Sequence, residues 1–335
     1  MDKGWTSEEV RRLAGAYWSS CALHAGVQTG VTTFLAQKGP ATAADLATHL
    51  GLDPRATGML CTALLALKAV SLADGTYTLA PDLAPLLDPE APQSLANSIL
   101  HLADMVPDWG RLAQCVTTGR PVPEEEEDPG AGQQNRAHFY RAMRDLARGQ
   151  APGLAAVLGL RAGMRVLDLG GGPGVYGLNF AAETPGLDVT IFDLPQAEQF
   201  FRQEAARLPA AHGVKFLAGD FTDTPLGGPY DLIWLSQVLH GQGPESCQKL
   251  LNKAVAALAR GGMIYIQEFV LDRENPVPPW PALFSLNMLI NTPHGQSYSA
   301  GELTGFLSRT GLCRAEHLGP TRPGSPAGLV RGVRE

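Results

Sequence analysis

VLDLGGGPG, residues Val166–Gly174, is an apolar strand that runs directly into a glycine-rich turn. Glycines in such a turn let the backbone approach a ligand closely, and the following helix N-terminus favours negative or electron-rich groups. A tight turn without a ligand is the simpler interpretation, but four glycines in five positions argue against it. Because Gly172, Gly174 and Gly177 satisfy G-x-G-x-x-G, a nicotinamide-dependent oxidoreductase stays open as an alternative.

Short apolar runs alternate with helical patterns from about residue 160 onward. Five strand candidates are MRVLDLG (164–170), DVTIFDL (188–194), VKFLAGD (214–220), YDLIWLS (230–236) and MIYIQEF (263–269). Helical stretches over Val175–Thr184, Gln196–Leu208 and Pro244–Ala259 separate them. This alternation predicts an α/β fold with a parallel sheet and helices on both faces. CRAEHL (313–318) and LVRGV (329–333), on either side of a Pro/Gly turn, predict a closing antiparallel pair.

Three acidic residues stand at the ends of the first three strand candidates, where ligands bind in open α/β sheets. Asp168 precedes the glycines, where an anion repels a pyrophosphate but suits the ammonium of an amino acid. Asp193 lies where a ribose diol is expected, and Asp220 can accept a hydrogen bond from an adenine amino group beside Phe221. S-adenosylmethionine (SAM) combines an amino-acid ammonium, a ribose diol and an adenine in one ligand. We therefore predict SAM as the cofactor.

The N-terminal third of the chain reads as helices followed by a hairpin. Residues 6–38 begin with a Thr6/Glu9 capping box, a second helix starts near Thr42, and Asp53-Pro54 opens a third. Asp74-Gly75 is a two-residue turn signal between short alternating strands. This order predicts a winged-helix outline.

DNA binding is the familiar use of a winged helix, and it is disfavoured here. The third helix carries only Arg55 and Lys68 between residues 54 and 70, whereas a reading helix needs several polar or basic side chains. The net charge of −7 also lacks the basic footprint of nucleic-acid binding. The apolar side chains within residues 10–35 favour a protein–protein surface instead.

Composition places the chain among folded globular proteins. Its 335 residues are 44% apolar and 18% charged, which excludes a disordered chain. No apolar run reaches the roughly 18 residues of a membrane span, and no signal peptide is visible at the start. Five cysteines without metal-ligand spacing predict free thiols in a reducing, cytoplasmic location, and they are Cys21, Cys61, Cys115, Cys247 and Cys313.

The sequence resembles the two-domain, SAM-dependent O-methyltransferases that have a winged-helix dimerisation domain. This family includes plant caffeic-acid-type enzymes and bacterial antibiotic, carotenoid and bacteriochlorophyll methyltransferases. The resemblance covers nearly the whole chain and rests on VLDLGGGPG, FDLPQ (192–196), GDF (219–221), LSQVLH (235–240) and the C-terminal GSPAG turn. It implies a Rossmann-like class I methyltransferase sheet with a C-terminal antiparallel hairpin, preceded by an α-rich dimerisation domain.

The resemblance also assigns residues to the SAM site. It implies contacts from the strand ends and turns of the sheet, at Asp168, Gly170, Gly172, Gly174, Asp193, Leu194, Gly219, Asp220, Phe221 and Ser236. Ser236 matches a serine near the methionine end of SAM in the bacterial members. The helix with Phe139, Tyr140 and Met143 matches a segment that covers the cofactor and lines the acceptor pocket, with Met143 on the cofactor and Tyr140 on the acceptor.

His240 follows the fourth strand and matches the family's general base. A neutral imidazole can take the proton of a phenol as the methyl group is transferred. A capping or core histidine is the alternative interpretation. Glu268 ends the next strand and matches one of two acids that flank the base, so we expect it to orient His240.

The sequence departs from the family at two positions of this corner. Gln296-Ser297 stands where the second acid belongs, and Gly241 follows the histidine in place of aspartate. Both departures concern the strength of the base. Met288, in an apolar stripe that also contains Trp280 and Phe284, is implied to line the acceptor pocket.

We therefore expect a homodimer that methylates a hydroxyl of a flat, apolar small molecule, without metal, nucleic acid or membrane. The predicted segments are a dimerisation domain (1–85), a helical connector (86–150) and a SAM-binding domain (151–335). A winged-helix regulator with a SAM-sensing domain and the nicotinamide oxidoreductase remain the alternatives at this point.

Overall fold

The computed structural model describes residues 4–122, 129–322, 325 and 327–335, and the side chains of 129–131 are left aside. The chain divides into two compact units. The first contains residues up to Met105 and Gly130–Leu146, and the second contains Val106–Pro129 and Ala147–Glu335. The three predicted segment boundaries stay predictions. Part of the predicted C-terminal Pro/Gly turn lies outside the described residues.

Five helices and a hairpin open the first unit, as the capping and turn signals predict. The helices are α1 (Ser7–Ala14), α2 (Tyr17–Gln28), α3 (Val31–Lys38), α4 (Ala43–Leu50) and α5 (Pro54–Ala66), and the strands are β1 (Val70–Ala73) and β2 (Thr76–Leu79). Thr6 with Glu9 and Thr42 with Asp45 form complete capping boxes. Asp53 caps α5 by accepting a hydrogen bond from the Ala56 N–H at 2.8 Å.

The hairpin turn is tight because both of its residues adopt positive φ, +50° at Asp74 and +78° at Gly75. An apolar core that includes Val31, Leu46 and Leu64, each with no exposed surface, joins helices to hairpin. The predicted winged-helix outline is confirmed. Further helices follow as α6 (Ala84–Leu87), α7 (Ala96–Asp104), α8 (Val106–Trp109), α9 (Leu112–Thr118) and α10 (Pro129–Arg148).

A seven-stranded sheet organises the second unit, with strand order β5-β4-β3-β6-β7-β9-β8. Its strands are β3 (Arg165–Leu169), β4 (Asp188–Asp193), β5 (Lys215–Ala218), β6 (Tyr230–Ser236), β7 (Leu258–Phe269), β8 (Cys313–Pro320) and β9 (Ala327–Val333). The first five pair in parallel, whereas β9 pairs antiparallel with β7 and β8. The predicted parallel sheet with a closing hairpin is confirmed.

Helices cover both faces of this sheet. They are α11 (Leu154–Val157), α12 (Val175–Glu183), α13 (Glu198–Arg207), α14 (Pro244–Ala256) and α16 (Ala300–Arg309), whereas α15 (Trp280–Asn291) packs against α8, α9 and the turn after β6. Alternate residues of β6 enter two different cores, with Ile233 and Leu235 in one and Leu232 and Trp234 in the other. Side chains alternate faces along a strand, so the two cores lie on opposite faces of the sheet.

Some predicted boundaries are wrong, and the strand predicted to begin at Met263 begins at Leu258. Helix α14 ends at Ala256 and not at Ala259, because β7 begins at Leu258. The early start of β7 is stabilised by Arg334, which exchanges main-chain hydrogen bonds with Gly261 and Gly262 at 2.8 and 2.9 Å. Strand β5 ends at Ala218, so Asp220 follows it in a turn and does not end the strand itself.

Candidate active site

The glycine-rich turn joins β3 to α12 with the backbone packed against its neighbours. Gly170 has a φ of +74°, and a Cβ there would lie 2.6 Å from Val238 Cγ2. Gly174 has a φ of +78°, and a Cβ there would overlap Ile191 of β4. Only glycine fits such positions, because positive φ and lack of space both exclude a side chain. Gly172, at a φ of +55°, instead faces open space.

Asp168 is the buried acid beneath this turn. Its side chain is 1% exposed, and Oδ2 accepts a hydrogen bond from the Gly177 N–H at 3.0 Å. The buried Oδ1 has no hydrogen-bond partner among the described residues. Burial raises the pKa of Asp168 to about 7, and the neighbouring Asp193 adds to the rise. A buried carboxylate oxygen without a hydrogen-bond partner is suited to a cationic group of a ligand, such as the ammonium of SAM.

Asp193 ends β4 and ties this strand to the glycine turn. Its Oδ2 accepts a hydrogen bond from the Gly172 N–H at 2.7 Å, and its Oδ1 accepts one from Leu194 at 2.7 Å. Burial raises the pKa of Asp193, although these two bonds oppose the rise. Leu194 is 38% exposed beside it.

Gly219, Asp220 and Phe221 follow β5 at the same edge of the sheet. The Gly219 N–H donates to the Asp193 carbonyl at 2.9 Å. Asp220 is exposed, and its Oδ1 accepts hydrogen bonds from the N–H and hydroxyl of Thr222 at 2.8 and 2.7 Å. These bonds lower the pKa of Asp220. The structure thus brings the three predicted acids and the glycines together at the carboxyl ends of β3, β4 and β5.

Ser236 belongs to a polar network that the sequence did not predict. Its hydroxyl donates to Gln267 Oε1 at 3.0 Å, and Gln267 Nε2 donates to Gln150 Oε1 at 2.9 Å. Tyr176 is buried beside Ser236 and Gln267. Burial raises the pKa of Tyr176 to about 12, so this phenol stays protonated. The available signal was Gln267 itself, a polar residue directly after the apolar run Met263–Ile266 of β7.

Gln237 is a second feature that the sequence did not predict. It is a non-glycine residue with a φ of +58°, and its buried Oε1 has no partner among the described residues. Strained backbone of this kind clusters at functional sites.

His240 lies in a short 3-10 turn, Leu239–Gly241, directly after the end of β6. Its Nδ1 lies 2.8 Å from Oε2 of Glu268, a carboxylate that is 2% exposed. Glu268 Oε1 accepts hydrogen bonds from the N–H groups of Leu239 and His240, at 2.8 and 3.2 Å. The His240 and Phe284 rings form a T-shaped pair, with centroids 4.8 Å apart and planes at 88°. Within the described part of the chain, no residue bonds to Nε2.

The turn after α15 reaches His240 through its backbone. The Gln296 N–H donates to the His240 carbonyl at 2.8 Å. Ser297 is buried, and its hydroxyl donates to the Pro281 carbonyl of α15 at 2.8 Å. Gln296 and Ser297, which stand where a second acid was expected, therefore bond to main-chain carbonyls and place no carboxylate beside His240.

Aromatic rings continue from His240 through Phe284 to Phe269 and Trp280. Phe269 lies edge-on to Phe284 at 4.8 Å and to Trp280 at 6.2 Å. Met288, one turn after Phe284 in α15, is buried. Its predicted place in an acceptor pocket stays a prediction.

Tyr140 and Met143 lie on α10, within the first unit. Tyr140 is buried, and Met143 is half-buried. Their predicted roles toward acceptor and cofactor stay predictions, as do the contacts of the other residues with SAM.

The described residues contain neither a metal-binding cluster nor a membrane-spanning helix. No cluster of three His, Cys, Asp or Glu side chains suited to a metal ion occurs there. In the same part of the chain, no helix combines the length and apolarity that a membrane span requires. All five cysteines are free, as predicted.

Comparison with known proteins assigns the family. Residues 109–313 match the model of the O-methyltransferase domain, and residues 11–82 match the O-methyltransferase dimerisation domain. The chain is 29% identical to 3-hydroxy-5-methyl-1-naphthoate 3-O-methyltransferase from Streptomyces sahachiroi, over 96% of this chain and 94% of the relative. It is 31% identical to acetylserotonin O-methyltransferase from Mus musculus molossinus, over 96% of this chain and 87% of the relative.

A solved structure agrees with the fold. The human N-acetylserotonin methyltransferase in complex with SAM superposes with a TM-score of 0.85, at 24% identity over 99% of both chains. Neither the oxidoreductase nor the regulator is supported by these matches, and the prediction of a SAM-dependent methyltransferase is confirmed. The chain therefore belongs to the SAM-dependent O-methyltransferases, a family of enzymes with its own dimerisation domain.

Proposed function

We propose that this enzyme methylates a hydroxyl of a flat aromatic molecule, with His240 as general base and Glu268 as its orienting acid. The observation that carries the proposal is the 2.8 Å contact between His240 Nδ1 and the buried Glu268. This contact fixes the proton on Nδ1, which leaves the Nε2 lone pair to accept a proton from the acceptor. The same carboxylate stabilises the imidazolium that forms during the transfer.

SAM supplies an electrophilic methyl group, and the residues around it hold its three polar parts. Asp168 Oδ1 is buried and unpartnered, so it is suited to the ammonium of the methionine end. Each oxygen of Asp193 accepts one backbone hydrogen bond and retains a lone pair for a ribose hydroxyl. Asp220 Oδ2 remains for the adenine amino group. Gly172 supplies open backbone between the first two acids.

The aromatic rings next to His240 favour a flat acceptor. The Phe284 ring packs against the His240 ring in a T-shaped arrangement, so an acceptor that reaches Nε2 lies close to an aromatic side chain. Two relatives act, by name, on a hydroxynaphthoate and on acetylserotonin. We therefore propose a fused-ring aromatic hydroxyl compound as the acceptor class of this enzyme.

Loss of His240 tests the role of the base. We expect His240→Ala to lower the single-turnover rate with 3-hydroxy-1-naphthoate by about 10²–10⁴-fold, the usual contribution of a general base. SAM affinity, measured by calorimetry, should stay near the parent value because His240 is not assigned to the cofactor. A variant that methylates within a few-fold of the parent would show that His240 is structural.

We also propose that the protein is a homodimer in a reducing, cytoplasmic location. Large apolar side chains at the N-terminal end are exposed, namely Trp5, Val10, Leu13, Tyr17 and Trp18. Such a surface is expensive to leave in water, and a second copy of the chain would cover it. Five free thiols support the reducing location.

A further inference from the structure

His240 sits on a loop whose main-chain groups are bonded by residues from distant parts of the sequence. We define this base loop as Leu239–Gly243. Glu268 accepts hydrogen bonds from two of its N–H groups, and Gln296 donates to the carbonyl of His240 at 2.8 Å. The position of the imidazole depends on these bonds because the loop lies between β6 and α14 and belongs to neither.

Tyr298 makes a further bond to this loop through its side chain. The residue is 1% exposed, and its hydroxyl donates to the Gln242 carbonyl at 2.5 Å. The ring is fixed edge-on against Phe306, with centroids 5.2 Å apart. Cys247 Sγ lies 3.6 Å from this hydroxyl and 3.3 Å from the Leu239 carbonyl. Burial raises the pKa of both groups, that of Cys247 to about 11, so both remain protonated hydrogen-bond donors.

We propose that Tyr298 is a positioning residue that holds the base loop so that His240 faces the acceptor. This inference rests on the proposed role of His240. Glu268 fixes the ring and the start of the loop, whereas Tyr298 fixes its end at Gln242. The loop is thus bonded near its start by Glu268 of β7 and near its end, at Gln242, by the buried Tyr298. The direction of the His240 Nε2 atom therefore depends on these two side chains and not on the loop alone.

Removal of one hydroxyl tests this proposal. Tyr298→Phe keeps the buried ring but removes the hydroxyl donor and leaves the Gln242 carbonyl with the longer Cys247 Sγ contact at 3.7 Å, so the base loop gains freedom. A displacement of about 1 Å at a reacting group can cost about 10²-fold in rate. We expect the single-turnover rate with 3-hydroxy-1-naphthoate to fall about 10-fold to 100-fold, with SAM affinity unchanged.

Tyr230→Phe is the matched control. Tyr230 is also buried in the same core, and its hydroxyl also donates to a main-chain carbonyl, that of Leu226 at 2.8 Å. It therefore reports the cost of losing a buried tyrosine hydroxyl away from the base loop. We expect its rate to stay within about two-fold of the parent. Equal rates for the Tyr298→Phe and Tyr230→Phe variants would overturn the proposal.

A double variant separates positioning from a general loss of structure. If Tyr298 acts through His240, Tyr298→Phe lowers the rate of the parent but not that of His240→Ala. A structural role would lower both rates by the same factor. Should His240→Ala retain the parent rate, the proposed base is wrong, and this outcome differs from the failure of Tyr298 alone.

Nuclear magnetic resonance provides a readout that needs no acceptor. The Nδ1 proton of His240, shared with Glu268, is identified by its absence in His240→Ala. We expect this proton to exchange faster with water in Tyr298→Phe than in the parent and in Tyr230→Phe. An exchange rate equal to that of the parent would overturn the proposal even if no acceptor is methylated.

Discussion

At the scale of single residues, Glu268 contacts the ring and the N–H of His240 and also the N–H of Leu239. Glu268→Gln keeps the shape of the side chain but removes the charge that stabilises the imidazolium. We expect a loss in single-turnover rate that is smaller than the loss in His240→Ala, because the base remains. Measured rates of the two variants with the same hydroxynaphthoate check this order. A Glu268→Gln rate below that of His240→Ala would contradict the orienting role.

Asp193 offers a test of the ribose assignment. Replacement by Ala removes charge-assisted hydrogen bonds worth roughly 1.5–3 kcal/mol each, so SAM affinity should fall about tenfold or more. The variant also loses the bonds to Gly172 and Leu194. The control therefore changes the ligand and not the protein. The parent should bind a 2′-deoxy analogue of S-adenosylhomocysteine more weakly than it binds S-adenosylhomocysteine. Asp193→Ala should bind the two ligands with equal affinity. Calorimetry that finds the same difference in both proteins would contradict the assignment.

The raised pKa of Asp168 predicts that SAM binding depends on pH. Burial raises the pKa of this carboxyl to about 7, so the ligand-free fold loses stability as pH rises from about 4 to about 7. An ammonium beside Oδ1 favours the ionised form, and binding near pH 6 should expel a proton. Calorimetry in two buffers of different ionisation enthalpy measures this proton. Asp168→Asn should release none, and an equal release from both proteins would show that another group titrates.

At the scale of elements, the sequence predicted the existence of the strands well because glycine or proline residues bound their apolar runs. It misplaced the end of α14, since the helical pattern continues past Ala256 and the start of β7 depends on pairing with distant residues, Tyr230 of β6 and Arg334. The bond between Gln267 and Gln150 joins residues 117 positions apart, so no local pattern could predict it. The bond from Tyr298 to Gln242, 56 positions apart, was out of reach for the same reason.

The packing of α12 on β4 depends on Gly174. Gly174→Ala should destabilise the protein by more than the roughly 1–2 kcal/mol of a positive φ, because the new Cβ would overlap Ile191. Gly213→Ala is the matched control, since its φ is +90° and nothing lies within 4 Å of the added Cβ. Urea unfolding of both variants measures the difference. Equal losses would contradict the role of close packing at this turn.

At the scale of the whole molecule, the exposed apolar residues of α1 and α2 predict the oligomeric state. Leu13 and Trp18 are 65% and 70% exposed, and obligate dimer interfaces commonly bury more than about 2,000 Å². We expect a dimer in size exclusion with light scattering, and a monomer after Leu13→Asp with Trp18→Asp. Val157→Asp, at an equally exposed apolar position of the second unit, should stay dimeric. A monomeric parent would contradict the proposal.

Transfer of a labelled methyl group tests the central claim most directly. The parent protein is incubated with SAM that carries a ¹³C-methyl group and with 3-hydroxy-1-naphthoate or acetylserotonin. The product is then examined by nuclear magnetic resonance. We predict that the label appears on the hydroxyl oxygen, that a methoxy analogue of the same ring system receives none, and that His240→Ala forms the product far more slowly. Label on a ring carbon, or equal product from His240→Ala, would contradict base-assisted O-methylation.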